Sequence, residues 1–86
     1  MSSVHDERYK KFLERLQLAR TEAGMTQMEV AEAFGKPQSF VSKVESGERR
    51  VDVVELDEFA ALYNKDLSFF LTGWELSSAA AKRKRR

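Results

Sequence analysis

Apolar residues recur along this chain at three- and four-residue steps, which is the spacing of amphipathic helices. The first stripe predicts a helix from about His5 to Ala23, with inward positions at Phe12, Leu16, Ala19 and Ala23. Gly24 comes directly after this stripe and is typical of the left-handed stop at a helix end. The run Val51–Val54 is briefly β-like, but four residues without a second run to pair with do not form a sheet. The pattern therefore predicts an all-α fold.

The stretch Thr26–Glu45 contains two short amphipathic segments separated by Gly35. Thr26 and Glu29 have the spacing of a capping box, so we expect a second helix to begin at the residue after Thr26. Gly35 can adopt the positive φ of a sharp turn without a Cβ penalty. Pro37 fits the first turn of a third helix, where its missing amide proton costs nothing. The inward positions of these two helices are Val30, Ala31, Phe34, Val41 and Val44.

Two more helices follow in the pattern. Asp52 and Glu55 predict a second capping box, at the start of a fourth helix over about residues 53–63. Asn64 is well suited to the left-handed stop after it, and Asp66 can cap a short fifth helix. The inward positions of the fourth helix are Val53, Leu56, Phe59, Ala60 and Tyr63.

Size and composition narrow the class of protein. Eighty-six residues with 42% hydrophobic content suffice for one small domain and leave no room for a second. The chain has no cysteine, which excludes disulfides and thiolate zinc sites and suits a reducing cytoplasm. No apolar run approaches the roughly 18 residues of a membrane span, and the N-terminus lacks the apolar core of a signal peptide. His5 is the only histidine, and we expect neither a cofactor nor an enzyme.

The net charge of +1 conceals a strong segregation along the chain. Residues 1–50 sum to +1, residues 51–76 to −5 and residues 77–86 to +5. The last ten residues, SSAAAKRKRR, are low in complexity, so we predict a domain over 1–76 and a disordered basic tail over 77–86. The tail could be solvated and aid solubility, or attract phosphates without sequence preference. The sequence favours neither.

Ten residues within this helical frame match the pattern R…G-x-TQ…A…G…S…E-x-G-x-R. They are Arg20, Gly24, Thr26, Gln27, Ala31, Gly35, Ser42, Glu45, Gly47 and Arg49. Over Phe12–Gly73 the chain thus resembles the Cro/repressor-type, or XRE, helix-turn-helix family. The resemblance implies an all-α, five-helix, lambda-repressor-like DNA-binding domain in which the second and third helices form the reading unit. It also implies a buried ion pair between Arg20 and Glu45.

The outward side of the third helix carries the side chains that could read bases in the major groove. Gln38 is the strongest candidate, because its amide can accept from adenine N6 and donate to N7. Lys43 could reach a guanine or only a phosphate, and the sequence does not separate the two. The predicted base-reading residues are Gln38, Ser39, Ser42 and Lys43.

The expected phosphate contacts surround this helix. Gln27 begins the second helix, where free amides and the helix dipole favour an anion, so we expect its side chain to clamp a phosphate. Whichever of Arg49 and Arg50 points towards the fourth helix could instead be an ordinary surface charge without a phosphate contact. Phe40 either packs against Arg49 and the following loop or touches a thymine methyl. The predicted phosphate contacts are Gln27, Lys36, Arg49 and Arg50.

The segment LSFFLTGWEL concentrates more apolar side chains than one short helix can bury. Exposed aromatic clusters usually mark an interface, so we predict a two-fold homodimer through this segment. The alternative is that the aromatic residues seal the base of the domain's own core. The predicted interface residues are Phe69, Phe70, Trp74 and Leu76.

Two functions are compatible with these patterns. The first is a sequence-specific DNA-binding transcriptional regulator, expected to be a repressor, that binds double-stranded DNA as a dimer on a palindromic operator. The second is an antitoxin or adaptor that uses the acidic fourth helix and the aromatic exit to hold another protein, and that also contacts DNA. Neither involves a membrane.

Overall fold

The computed structural model describes residues 6–71, which form five helices and no strand. The predicted all-α, five-helix fold is confirmed. The predicted tail over 77–86 and the interface residues Trp74 and Leu76 lie outside this range. The helices are α1 (Glu7–Glu22), α2 (Gln27–Phe34), α3 (Gln38–Ser46), α4 (Val53–Tyr63) and α5 (Leu67–Phe70).

Both predicted capping boxes are present. In the first, Glu29 N donates to Thr26 Oγ1 at 3.1 Å while Thr26 N donates to Glu29 Oε1 at 2.9 Å. The same reciprocal pair joins Asp52 and Glu55 at the start of α4. Asp66 occupies the cap position of α5, but its side chain accepts no capping hydrogen bond. The short last helix therefore lacks the side-chain cap that the sequence predicted.

Three local predictions were wrong in detail. Pro37 is the N-cap of α3, with the extended angles φ −71° and ψ 156°, so α3 begins one residue later than predicted. Val53 is predicted to face inward, yet it is 74% exposed at the first position of α4, and the buried residues of this helix begin only at Phe59. Ala23 lies at the C-cap of α1 and is also exposed.

The core is built around α1, which packs against α3, α4 and α5. Leu16 of α1, Phe59 of α4 and Phe70 of α5 are essentially inaccessible to solvent. Phe59 lies against three further rings, those of Phe34, Phe40 and Tyr63. The helix-turn-helix therefore rests on a base rich in aromatic rings, each of which buries a large apolar surface. The buried apolar residues are Tyr9, Phe12, Leu16, Ala19, Val30, Ala31, Val41, Val44, Phe59, Ala60, Tyr63 and Phe70.

Candidate nucleic-acid interface

The turn between α2 and α3 has the geometry that the sequence predicted. Gly35 adopts φ 66° and ψ 35°, in the left-handed region that favours glycine. The amide of Lys36 then donates to the carbonyl oxygen of Ala31 at 2.9 Å, which closes the end of α2. On the inner side of α3, Val41 and Val44 are fully buried. These contacts hold α3 at a fixed angle to α2 and leave its other side to solvent.

The buried end of α3 is held by an ion pair with α1. Arg20 Nε donates to Glu45 Oε2 at 2.7 Å, and Arg20 Nη2 donates to Glu45 Oε1 at 3.1 Å. A third donor, Arg20 Nη1, bonds the carbonyl oxygen of Met25 at 3.0 Å. Glu45 is only 5% exposed, and its hydrogen bond raises the pKa of Arg20 above the usual arginine value. The ion pair that the family resemblance implied is therefore present as a two-point contact.

Gln27 extends this ion pair to the outward face of α3. Its Nε2 donates to Glu45 Oε1 at 3.0 Å, and its Oε1 accepts from Gln38 Nε2 at 3.4 Å. Both ends of the Gln27 amide are thus engaged inside the protein. Gln38 keeps its carbonyl oxygen and its second amide proton for another partner. Sequence patterns missed this relay, because it depends on how α2 and α3 cross.

The four predicted base-reading residues lie on one continuous face of α3. Gln38, Ser39, Ser42 and Lys43 are all exposed, and the helical repeat places them within little more than a third of the circumference. In the described part of the chain, the side chains of Ser39, Ser42 and Lys43 make no polar contact with the protein. This face can therefore present donors and acceptors to a ligand without first breaking internal bonds, apart from the long contact of Gln38.

The arginine side chains of the α3–α4 loop contact the protein itself. Arg49 makes a two-point ion pair with Glu55, with both N–O distances at 2.9 Å, and its guanidinium lies 4.9 Å from the ring centre of Phe40. Hydrogen bonding from Arg49 lowers the pKa of Glu55. Arg50 instead stacks on Tyr9 of α1, at 4.3 Å. Arg49 is thus the residue that points towards α4, and neither guanidinium is free.

Among the predicted phosphate contacts, neither Lys36 nor Arg50 has a side chain held by a hydrogen bond within residues 6–71, and Arg50 is held by its stacking on Tyr9. Lys36 is exposed on the α2–α3 turn, with its ammonium 5.4 Å from the ring centre of Phe40. Phe40 itself is half-buried and stacks nearly parallel to Phe59, with ring centres 6.4 Å apart. Phe40 thus packs against Arg49, as one of its two predicted environments requires, and also against the core ring of Phe59.

The aromatic residues of α5 mostly serve the protomer itself. Phe70 is fully buried against Phe12, which leaves it no surface to offer a partner. Phe69 is half-buried between two cations, with the Arg15 guanidinium at 3.9 Å and the Lys65 ammonium at 4.5 Å from its ring centre. The sequence could not show this, because it could not reveal which rings α1 would cover.

The described residues include neither a candidate metal site nor a membrane-spanning helix. Between residues 6 and 71, no group of three or more His, Asp or Glu side chains is placed to hold a metal ion. None of the five helices is long and apolar enough to cross a membrane. The exposed face of α3 is therefore the best-defined candidate site in this part of the chain.

Comparison with known proteins identifies a family model and a similar solved structure. A family model described as helix-turn-helix, HTH_3, matches residues 16–70. A solved structure, described as an XRE-family like protein from Pseudomonas syringae pv. tomato str. DC3000, is 41% identical in sequence. The similarity covers 93% of this chain and 92% of that chain, with a TM-score of 0.71. No curated protein matches the chain.

Proposed function

The chain belongs to the XRE-type helix-turn-helix family, and from that premise we propose that it is a sequence-specific DNA-binding transcriptional regulator. The observation that carries the proposal is the exposed face of α3. Its inner side is seated by Val41 and Val44, and its end is fixed by the bonds of Glu45 to α1 and α2. A rigid helix with a polar outer face is what the major groove accommodates.

Gln38 is the residue that we propose to carry most of the base discrimination. Its free carbonyl oxygen can accept from adenine N6, and its amide can donate to N7 once the 3.4 Å contact with Gln27 is exchanged or shared. Ser39 and Ser42 can bond either class of base and permit close approach. Lys43 adds a cation that reaches a guanine edge or a phosphate.

Phosphate contacts are proposed to flank this reading face. The first turn of α2 offers free backbone amides and the positive end of the helix dipole, so Gln27 would contribute through its backbone rather than its side chain. Lys36 is exposed on the adjoining turn and available to a phosphate. Arg49 and Arg50 would reach the DNA backbone only by leaving Glu55 and Tyr9, respectively.

A single copy reads only a short site, because nine residues of α3 span about 13 Å. We propose that two copies bind a palindromic operator and repress by occupying it, with the end of α5 as their contact. The exposed apolar residues there are Leu67 and Leu71. Trp74 and Leu76 are further members predicted from sequence. This role keeps the cytoplasmic location that the cysteine-free composition predicts.

The test begins with selection of bound sequences from a random DNA pool, followed by affinity measurements on the winning site. We expect the selection to enrich a palindrome. The Gln38→Ala, Ser42→Ala double variant should bind this site about 5- to 150-fold more weakly than the wild type, the equivalent of 1–3 kcal/mol. Lys11→Ala, an exposed cation outside the helix-turn-helix, is the control and should bind almost normally. No enrichment, or equal affinity of the double variant, would overturn the proposal.

A second candidate function, that of an antitoxin or adaptor, is favoured by the first turns of α4. Val53 and Val54 are 74% and 64% exposed, and Asp57 and Glu58 lie exposed on the same helix. An apolar and acidic surface of this kind suits a basic protein partner. Purification of the chain from its native cell with a stoichiometric partner, absent when the Val54→Asp variant is purified, would support this function. Purification of the chain alone would count against it.

A further inference from the structure

An open apolar groove lies apart from the reading face of α3, none of whose residues line it. It is formed where α1, the α3–α4 loop, the start of α4 and the end of α5 meet, and it encloses about 250 Å³. That volume falls below the roughly 300–1,000 Å³ of small-molecule pockets, which favours a single protein side chain as the occupant. The apolar residues that line the groove are Tyr9, Phe12, Val51, Val53, Leu56 and Leu71.

The chemistry of the groove suits an aromatic side chain. Tyr9 and Phe12 are both buried, and their rings lie 5.2 Å apart at a 47° tilt. On the rim, the Arg50 guanidinium lies over the Tyr9 ring, and Asp52 provides a carboxylate. An aromatic floor with a hydrogen-bond acceptor at its edge matches indole, which is apolar on its faces and carries one N–H donor.

The chain itself brings an indole to this place. Leu71 lines the groove and is the last residue that the structure describes. Trp74 follows three residues later, and three residues of extended chain reach at most about 10 Å. A side chain tethered so closely has a high effective concentration at the groove, so it competes well against any partner in solution.

We propose that Trp74 docks in this groove of its own chain and completes the apolar core at the junction of α1, α4 and α5. The indole covers the exposed side of Val53 and the outer edge of the Phe12 ring. Because the groove is open, the other face of the indole stays outward beside Leu71. This proposal does not rest on DNA binding. It withdraws the docked face of Trp74 from the proposed contact between two copies and leaves Leu67 exposed for that contact.

Trp74 is the only tryptophan of the chain, so its intrinsic fluorescence tests the proposal directly. In the folded wild-type protein we expect blue-shifted emission and protection from acrylamide, relative to the same protein unfolded in urea. Both should be independent of protein concentration. Emission that matches the urea-unfolded chain would overturn the proposal. Protection that disappears on dilution while the protein stays folded would assign the groove to the tryptophan of a second copy, and would overturn it equally.

Two neighbouring valines supply a matched pair of variants. Val53 and Val54 are both highly exposed at the start of α4, but only Val53 lines the groove. We expect Val53→Asp to red-shift the emission and raise acrylamide quenching towards the unfolded value. Val54→Asp should leave both near wild type. Circular dichroism establishes that each variant is folded, as the exposure of the two sites leads us to expect. Equal responses of the folded variants would overturn the assignment of Trp74 to this groove.

Discussion

The carboxylate of Glu45 joins three helices at one point. It belongs to α3, accepts two hydrogen bonds from Arg20 of α1 and accepts a third from Gln27 of α2. A buried carboxylate is costly to desolvate unless its oxygens are bonded, and here both are. The position of α3 therefore depends on the hydrogen bonds that the buried Glu45 carboxylate makes with α1 and α2.

Loss of the Arg20 side chain should therefore destabilise the fold strongly. We expect Arg20→Ala to lower the free energy of unfolding by about 3–5 kcal/mol, because it leaves Glu45 buried without its charged partner. Urea unfolding followed by circular dichroism measures the change. Lys10→Ala is the control, since it breaks an exposed pair with Glu7 and should cost less than about 1 kcal/mol. Equal losses in the two variants would contradict this account of the ion pair.

Removal of each of the two tyrosine hydroxyls of the core should affect stability differently. The Tyr63 hydroxyl is buried and finds no hydrogen-bond partner within the described chain, and burial raises its pKa. Tyr9 instead accepts a bond from the amide of Val51 at 3.1 Å. We expect Tyr63→Phe to leave stability unchanged or slightly higher, and Tyr9→Phe to lower it by about 1 kcal/mol. Urea midpoints of the two variants test this, and a more costly Tyr63→Phe would reveal an unrecognised partner for that hydroxyl.

At the scale of the helices, the residues at the predicted cap positions differ in whether they make a capping hydrogen bond. Asp52 accepts from the amide of Glu55 at 2.8 Å, whereas Asp66 makes no capping bond. We expect Asp52→Ala to cost about 1 kcal/mol of stability and Asp66→Ala to cost a few tenths at most. Thermal unfolding of both variants at one pH measures the difference. Comparable losses would mean that Asp66 caps α5 in solution.

Local signals in the sequence predicted the helices well, because capping boxes and glycine stops act between residues close in the chain. Gly35 and Asn64 adopt the positive φ expected of them, at 66° and 59°. The partners of the α3–α4 loop were not predictable in the same way. Arg50 meets Tyr9 across 41 positions, and only the packing of α1 decides that contact. The candidate reading face could be predicted, whereas the Gln27 relay behind it could not.

At the scale of the whole molecule, the net charge of the described residues opposes binding to DNA. Residues 6–71 hold ten Lys and Arg against thirteen Asp and Glu, a net charge of −3. Cations on the reading side must therefore act locally, and the five cations of Lys82–Arg86 determine the sign of the total. Attraction to DNA at long range should accordingly depend on that segment.

Deletion of Lys82–Arg86 changes the net charge from +1 to −4. We expect the deletion to weaken binding to random DNA more than binding to the operator. It should also reduce the slope of log affinity against log salt, by up to about 0.9 for each phosphate that the segment neutralises in the wild-type complex. Titrations of operator and random duplexes over a series of salt concentrations measure both. Replacement of the same five residues by serine controls for length and should behave like the deletion. An unchanged slope would leave the segment as a solubility tail.

The three-way bonding of Glu45 also limits how this reading unit can be engineered. The stretch Thr26–Glu45 looks like a portable cassette, yet its far end is anchored by Arg20, which precedes it, and the loop after it is fastened to Tyr9. Transplanted alone into another scaffold, it would keep its turn and the bond between Gln27 and Glu45, but it would lose the contacts with Arg20 and Tyr9 that fix its position on the rest of the domain. Exchange of outward residues such as Gln38 within the intact chain leaves those anchors in place. New sequence preferences are thus more accessible by resurfacing α3 than by grafting it.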